Sequence, residues 1–246
     1  MRVLQLQPTQ TEPVSVIDGV GDASAHTELL YLVAPLPASG TTRAAIVDHH
    51  RPGRELIEVA LPGIGARYLG GVAREAARGG WNLPELSALV VELESRCTYW
   101  VAAATLDALD GRAHRSLLAG RGRALRWSCG TWAPSAVNGS SLRAVARTAT
   151  VRNGLCVCAR SGQSIPRRVA RELAELSRSR IGVGHFRHGL AATLGAGWAV
   201  EVLVAPRLAP SQLSMLREQF ASAPRCGWCG IPVAGSHCRR CTPGSA

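Results

Sequence analysis

Lysine is absent from this 246-residue chain; all 28 basic residues are arginine. A coding bias toward Arg, Ala and Gly gives that result by itself, so where the arginines lie says more than how many there are. Aromatic residues are scarce, at 4% against 46% hydrophobic residues overall. The core is therefore expected to consist mostly of Ala, Val and Leu. No apolar run approaches the roughly 18 residues that a membrane-spanning helix needs. The opening residues, Met-Arg-Val-Leu-Gln-Leu-Gln-Pro, lack the long apolar stretch of an export signal. Eight cysteines without such a signal point to a reducing, cytoplasmic setting.

Familiar catalytic motifs are missing as well. There is no phosphate-binding loop, no Gly-x-Gly-x-x-Gly after a strand and no Gly-x-Ser-x-Gly elbow. Gly182-Val-Gly184 is too short to count as a dinucleotide fingerprint. No catalytic residue is assigned, and the reading leans away from an enzyme.

What is present begins with a charge asymmetry. Residues 1–110 hold 8 Arg against 13 acids, a net of −5. Residues 111–246 hold 20 Arg against 4 acids (Glu172, Glu175, Glu201 and Glu218), a net of +16. Coding bias does not explain why acids disappear halfway along. A polyanionic partner does, and nucleic acid, DNA before RNA, is the partner expected from it. The arginines expected to contact it are Arg112, Arg115, Arg121, Arg123 and Arg126, then Arg167, Arg168, Arg171, Arg178, Arg180 and Arg187, and finally Arg239 and Arg240. Guanidinium forks suit phosphate and guanine edges.

Along the chain, Leu29 to Ala34, Arg43 to Val47 and Glu55 to Leu61 are short apolar runs, with a hairpin turn expected at Gly53. Helical spacing of Ile64, Leu69, Val72, Ala73 and Ala76 predicts a helix over 64–77, ended by Gly79-Gly80. Pro84 to Glu94 reads as a buried strand or a helix end, and Tyr99 to Leu109 as helical. Asp110-Gly111 is the clearest break. Gly130 to Ser141 reads as a loop, and Asn153-Gly154 as the turn between two strands. A helix from Ile165 to about Ser179, capped by Ser164 with Pro166 in its first turn, places Val169, Leu173 and Leu176 inward. A short helix from His185 to Leu194, a strand from Trp198 to Val204 and a helix from Pro210 to Phe220 complete the body. Residues 165–194 can also be fitted to a helix-turn-helix. Val72-Ala73-Arg74-Glu75 and Val169-Ala170-Arg171-Glu172 echo one another, which would fit two related α/β units.

The most legible feature is the tail: Cys226-Gly-Trp-Cys229, eight residues, then Cys238-Arg-Arg-Cys241. Two Cys-x-x-Cys pairs can turn four thiolates onto one Zn²⁺ in a closed, structural tetrahedron. Cys226-Gly-Trp-Cys-Gly-Ile-Pro resembles the first knuckle of the zinc-ribbon family, and Cys238-Arg-Arg-Cys241 its second. The resemblance covers residues 224–242 and implies one structural zinc at Cys226, Cys229, Cys238 and Cys241. The separation is short for a ribbon, so its hairpin must be minimal. Disulfides or a redox pair would use the same residues. The reducing setting opposes the first, and Gly230 and Pro232 oppose the helix that the second would open.

Other constellations are weaker. Ala45-Ile-Val-Asp48-His49-His50 resembles the motif of the DHH phosphoesterases, which implies divalent metal and activated water. The upstream Asp-x-Asp of that family is missing, Asp18 and Asp22 lie too close in sequence, and a strand end before the Arg51-Pro52-Gly53 turn fits as well. His185 and His188 would share a helical face. Cys129, Cys156 and Cys158 are read as core cysteines, the last two on opposite faces of a strand.

The expected fold is therefore α+β: a mixed sheet with flanking helices, an acidic α/β domain over 1–110, a basic one over 111–223 and a zinc ribbon over 224–246. The expected function is DNA binding in a regulatory or replication and transfer role, with the N-terminal half free for a protein partner or a second copy. The alternatives are a protein–protein adaptor working through the ribbon, or a metal-dependent phosphoesterase at Asp48-His49-His50.

Overall fold

The computed structural model describes residues 2–6, 28–33, 52–59, 61, 63–104, 123–128, 131–135, 154–162, 165–178, 182–185, 190–193, 196–238 and 240–241. The chain divides into two compact units, Met1–Ala60 with Ala66–Ser95 and Leu208–Ala246, and Leu61–Gly65 with Arg96–Arg207.

The first unit contains a three-stranded parallel sheet. Its strands are β1 (Arg2–Leu6), β2 (Leu29–Val33) and β3 (Arg54–Glu58), in the order β1-β2-β3. Consecutive residues Leu30, Tyr31 and Leu32 are all buried. That is the signature of a parallel strand covered on both faces, which needs a continuous apolar run rather than alternation.

Helix α1 (Gly63–Arg78) follows the predicted spacing: Leu69, Ala73 and Ala76 are buried while Arg67, Arg74 and Glu75 face water. Its end is closed by Gly80 at φ 79°, with Gly79 N donating to Glu75 O at 3.0 Å and Trp81 N to Ala76 O at 3.2 Å. Left-handed backbone at a helix end is what glycine permits without a Cβ penalty.

Helix α2 (Leu83–Arg96) settles the ambiguity over Pro84 to Glu94. Asn82 and Glu85 form a reciprocal cap: Glu85 N donates to Asn82 Oδ1 at 2.9 Å and Asn82 N to Glu85 Oε2 at 3.0 Å. Asn82, Pro84 and Glu85 carry that start signal in the sequence. Helix α5 (Pro210–Ser222), the last in the chain, buries Leu216 and Phe220. Phe220 meets Trp81 edge-on, with ring centroids 6.3 Å apart. Arg217 of α5 donates to the carbonyls of Gly79 and Gly80 at 3.2 and 2.7 Å, covering acceptors that the end of α1 leaves open.

The second unit is built on a six-stranded sheet in the order β6-β5-β4-β9-β7-β8. Its strands are β4 (Thr98–Ala103), β5 (Arg123–Ser128), β6 (Thr131–Ser135), β7 (Gly154–Gly162), β8 (Gly182–His185) and β9 (Trp198–Pro206). All neighbours are antiparallel except β7 and β8. Those two are joined through α3 (Arg167–Arg178), as a parallel pair requires a crossover. Helix α4 (Leu190–Thr193) precedes β9, and Ala191 N donates to the buried Ser161 Oγ at 2.9 Å.

Both faces of the sheet are buried along β4, β9 and the middle of β7. One carries Trp100, Ala102, Cys158, Val200, Val202 and Val204, packed with Val169 and Leu173 of α3. The other carries Tyr99, Val101, Ala159, Glu201 and Leu203.

The mixed α+β class holds, and so do α1, α3, β9 and α5. Four expectations are corrected. Tyr99 to Leu109 begins as the central strand β4 rather than a helix, because a short apolar run does not distinguish the two and its Tyr-Trp-Val start suits a pleated surface. Thr131–Ser135 is a strand, not loop; Pro134 is accommodated because β6 is the outermost strand of its sheet among the described residues. His185 ends strand β8, so no helix runs from His185 to Leu194 and the helix-turn-helix fitting fails. The internal echo also stops: α1 is followed by α2, whereas α3 is followed by β8. Arg43 to Val47, Asp48-His49-His50, Asp110-Gly111, Cys129 and the Ser164 cap lie outside the described residues.

Candidate metal centre

The four tail cysteines come together. One sulfur from each of Cys226, Cys229, Cys238 and Cys241 lies within 4.8 Å of all the others. Cys226 Sγ is 3.8 Å from Cys241 Sγ, and Cys229 Sγ is 3.6 Å from Cys238 Sγ. Sulfurs bound tetrahedrally at about 2.3 Å from one Zn²⁺ stand about 3.8 Å apart. The Cys226–Cys241 and Cys229–Cys238 separations are close to the edges of such a tetrahedron. This donor set could hold a metal ion and is compatible with zinc.

Local backbone makes the knuckle. Gly230, at φ 71°, turns the chain directly after Cys229, and its N–H donates to Cys226 O at 2.8 Å. Cys226 N donates to Ile231 O at 2.9 Å and Val233 N to Pro224 O at 2.9 Å, around an Arg225–Pro232 bridge. These bonds close the first knuckle around Cys226 and Cys229. The N–H groups of Cys229 and then Trp228 point at the Cys226 sulfur and pull its pKa down to about 6. Cys229 is raised, chiefly by burial, and Cys241 is pushed up to about 12, chiefly by its contact with the Cys229 thiol. Neighbouring thiols resist sharing negative charge; a divalent cation would remove that resistance. His237 is not part of the cluster, and its Nδ1 is 3.1 Å from Ser236 Oγ.

The knuckles pack on the first unit. Ile231 and Cys238 are buried, and a recess beside them is lined by Ala88, Val91, Glu92 and Phe220. Arg240, between Cys238 and Cys241, forms an ion pair with Glu55 and donates to Leu56 O at 3.0 Å. Trp228 is 94% exposed at the tip of the first knuckle.

A second polar feature, invisible in the sequence, lies in the second unit. Glu201 is 2% exposed. Its Oε1 accepts from Tyr99 Oη at 2.6 Å and from Ile64 N, in the first turn of α1, at 2.9 Å. Burial of Tyr99, and then the charge and hydrogen bond of Glu201, raise the phenol well above its ordinary value. Gly63, at φ 52°, lets the carboxylate approach: a Cβ there would lie 1.6 Å from Glu201 Oε1.

The remaining sequence candidates are only partly among the described residues. Arg167, Arg168 and Arg171 are exposed on α3, and Arg178 closes that helix; Arg123 and Arg126 are on β5. Arg112, Arg115, Arg121, Arg180, Arg187 and Arg239 lie outside the described residues, as do Asp18, Asp22 and His188. Cys156 and Cys158 do not face apart. Residues two apart on a strand share a face, and the two thiols hydrogen-bond to one another, which lowers Cys156 and raises Cys158. Cys158 is in the core cluster and Cys156 packs against it. Among the described residues, no helix is long and apolar enough to cross a membrane.

The architecture is that of the DegV fold. The chain is similar to a DegV family protein from Corynebacterium glutamicum, at 17% identity and TM-score 0.57, over 80% of this chain and 81% of that one. It is similar to a DegV family protein from Thermus thermophilus, described for its fatty acid binding, at 18% identity and TM-score 0.55, over 78% and 74% of the two chains. DegV from Bacillus subtilis, described as a fatty acid binding protein, aligns at 13% identity and TM-score 0.56, over 78% and 75%. No family model and no curated protein matches the sequence. These likenesses overturn the nucleic-acid partner, and with it the DNA-binding, regulatory and replication reading. The fold is shared with proteins described as fatty-acid-binding. A count of arginines reports surface charge, which does not specify a polyanion as partner.

Proposed function

We propose that this protein binds a long-chain fatty acid. The observation that carries the proposal is the shared fold, extending over about four-fifths of both chains in the Corynebacterium comparison. Related structures of the same fold are described as fatty-acid-binding, one of them loaded with heptadecanoic acid. The composition is compatible with an acyl ligand: 46% of residues are hydrophobic and few are aromatic, so apolar surface is supplied mainly by aliphatic side chains. The net charge of +11 also favours an ionised carboxylate over a cationic ligand.

Burial of each methylene is worth about 0.8 kcal/mol, so affinity should rise up to roughly fourfold per added carbon until the site is filled. The test is titration of delipidated protein with cis-parinaric acid, followed by displacement with saturated acids of increasing length. Saturable binding near one per chain, with displacement that strengthens with length, is the expected result. Linear, non-saturating partition of the probe would reject the reading.

A second site is favoured by a separate observation, the sulfur spacing of the four tail cysteines. We infer one structural Zn²⁺ held by Cys226, Cys229, Cys238 and Cys241. Metal analysis of protein purified without chelator should give one zinc per chain. Cobalt replacement should give the visible bands of a tetrahedral thiolate site. Octahedral cobalt, or zinc content unaffected by loss of these cysteines, would exclude the assignment.

A further inference from the structure

The second knuckle does more than supply two sulfurs. Arg240 is fixed between Cys238 and Cys241, one residue before the latter. Its guanidinium spans two acceptors on consecutive residues of β3, the Glu55 carboxylate through Nη1 and the Leu56 carbonyl through Nη2. The Arg240 and Glu55 side chains are 30% and 25% exposed, so the pair is partly withdrawn from water and less screened than a surface ion pair.

β3 is the outer strand of its sheet among the described residues, paired on one side with β2. An edge strand has main-chain groups that its own sheet does not satisfy, and it is the first to fray or to pair wrongly. Arg240 covers this edge with a charge-assisted hydrogen bond at each of two successive residues.

We propose that the four-cysteine centre is a metal-dependent latch on the N-terminal sheet: metal bound at Cys238 and Cys241 holds the intervening turn so that Arg240 clamps the β3 edge, and metal release frees that edge. The proposal rests on the metal reading of the four cysteines. Within the turn Cys241 N donates to Cys238 O at 3.2 Å, and a knuckle of this size takes its order from the ion. The arrangement also gives a role to an arginine that would otherwise read as an exposed polyanion contact.

Hydrogen–deuterium exchange on the full-length protein tests this, with metal content measured on the same samples. Three proteins are compared, wild type, Arg240→Gln and Glu55→Gln, each with zinc and after chelation under reducing conditions. In the wild type, chelation should speed exchange over 54–58 by about tenfold or more, as loss of charge-assisted hydrogen bonds implies. Residues 198–206 of β9 should change little. Arg240→Gln and Glu55→Gln should keep one zinc per chain, exchange fast over 54–58 from the start and respond little to chelation.

If zinc leaves the wild type and 54–58 does not accelerate, the latch is refuted while the metal site stands. Equal acceleration of 198–206 would replace it with general unfolding. A chelation response in Arg240→Gln as large as in the wild type would also overturn it. If no protein holds zinc, the latch fails together with the metal site.

Discussion

The Tyr99 hydroxyl donates to Glu201 Oε1 at 2.6 Å from a neighbouring strand. β4 and β9 are antiparallel, with Val101 opposite Glu201 and Tyr99 opposite Leu203. Tyr99 and Glu201 are therefore diagonal neighbours on one face, within reach of a long side chain. The same oxygen accepts from Ile64 N, which ties the start of α1 to the middle of β9.

Replacing Tyr99 with Phe removes one donor from a buried carboxylate. Stability should fall by about 1–3 kcal/mol, measured by urea denaturation at neutral pH. The raised pKa of Tyr99 also sets an alkaline limit. The folded protein holds the phenol proton more tightly than the unfolded chain does. That contribution is complete below the unfolded value near 10 and is lost as pH rises through the higher folded value. Tyr99→Phe should therefore lose less stability than wild type between neutral pH and the range above 10. An identical alkaline limb in both proteins would refute the assignment.

Gly63→Ala should be among the most damaging small substitutions. It places a Cβ at φ 52°, where side chains are disfavoured, and drives it into the Glu201 carboxylate. A loss of about 2 kcal/mol or more in denaturation is expected, from strain together with the displaced buried carboxylate. Gly71→Ala is the control. It is a helical glycine with open space around its Cβ position, and it should raise stability by about 0.5–1 kcal/mol.

Phe220→Ala removes the ring that meets Trp81 edge-on and is 2% exposed. The expected loss is about 3–5 kcal/mol. Trp81 fluorescence should move toward that of a hydrated indole; comparison with Trp81→Phe isolates its signal from the other five tryptophans.

Cys226→Ser should abolish stoichiometric zinc, as measured by mass spectrometry under native conditions. Because the ligands bind as thiolates, wild-type protein should also lose zinc as pH falls. Fatty-acid titration of Cys226→Ser is an independent readout: retained one-to-one binding would place the metal's contribution outside the acyl site.

The parts legible in the sequence are those whose physics is local. Helices α1, α3 and α5 follow from residues spaced to share one face and from Gly79-Gly80, Pro166 and Pro210 at their ends. The cysteine cluster follows from two tight turns, each completed within four residues. The start of α2 is signalled by Asn82, Pro84 and Glu85, but the apolar run over Pro84 to Glu94 fits a buried strand or a helix end equally well. The Cys156–Cys158 face was a matter of strand period alone.

The rest depended on which distant segments meet. No local pattern says that Tyr99 begins a central strand, because its apolar run becomes β4 only by pairing with β5 and β9. Nor does any pattern bring Glu201 to a helix start 137 residues earlier, or show that Gly63 exists to let it approach. The arginine balance misled for the same reason: charge is a sum over residues, whereas a partner is chosen by where each charge is placed. Arg240 stands for this difference. The sequence by itself set it between Cys238 and Cys241; the tertiary structure placed its charge on Glu55.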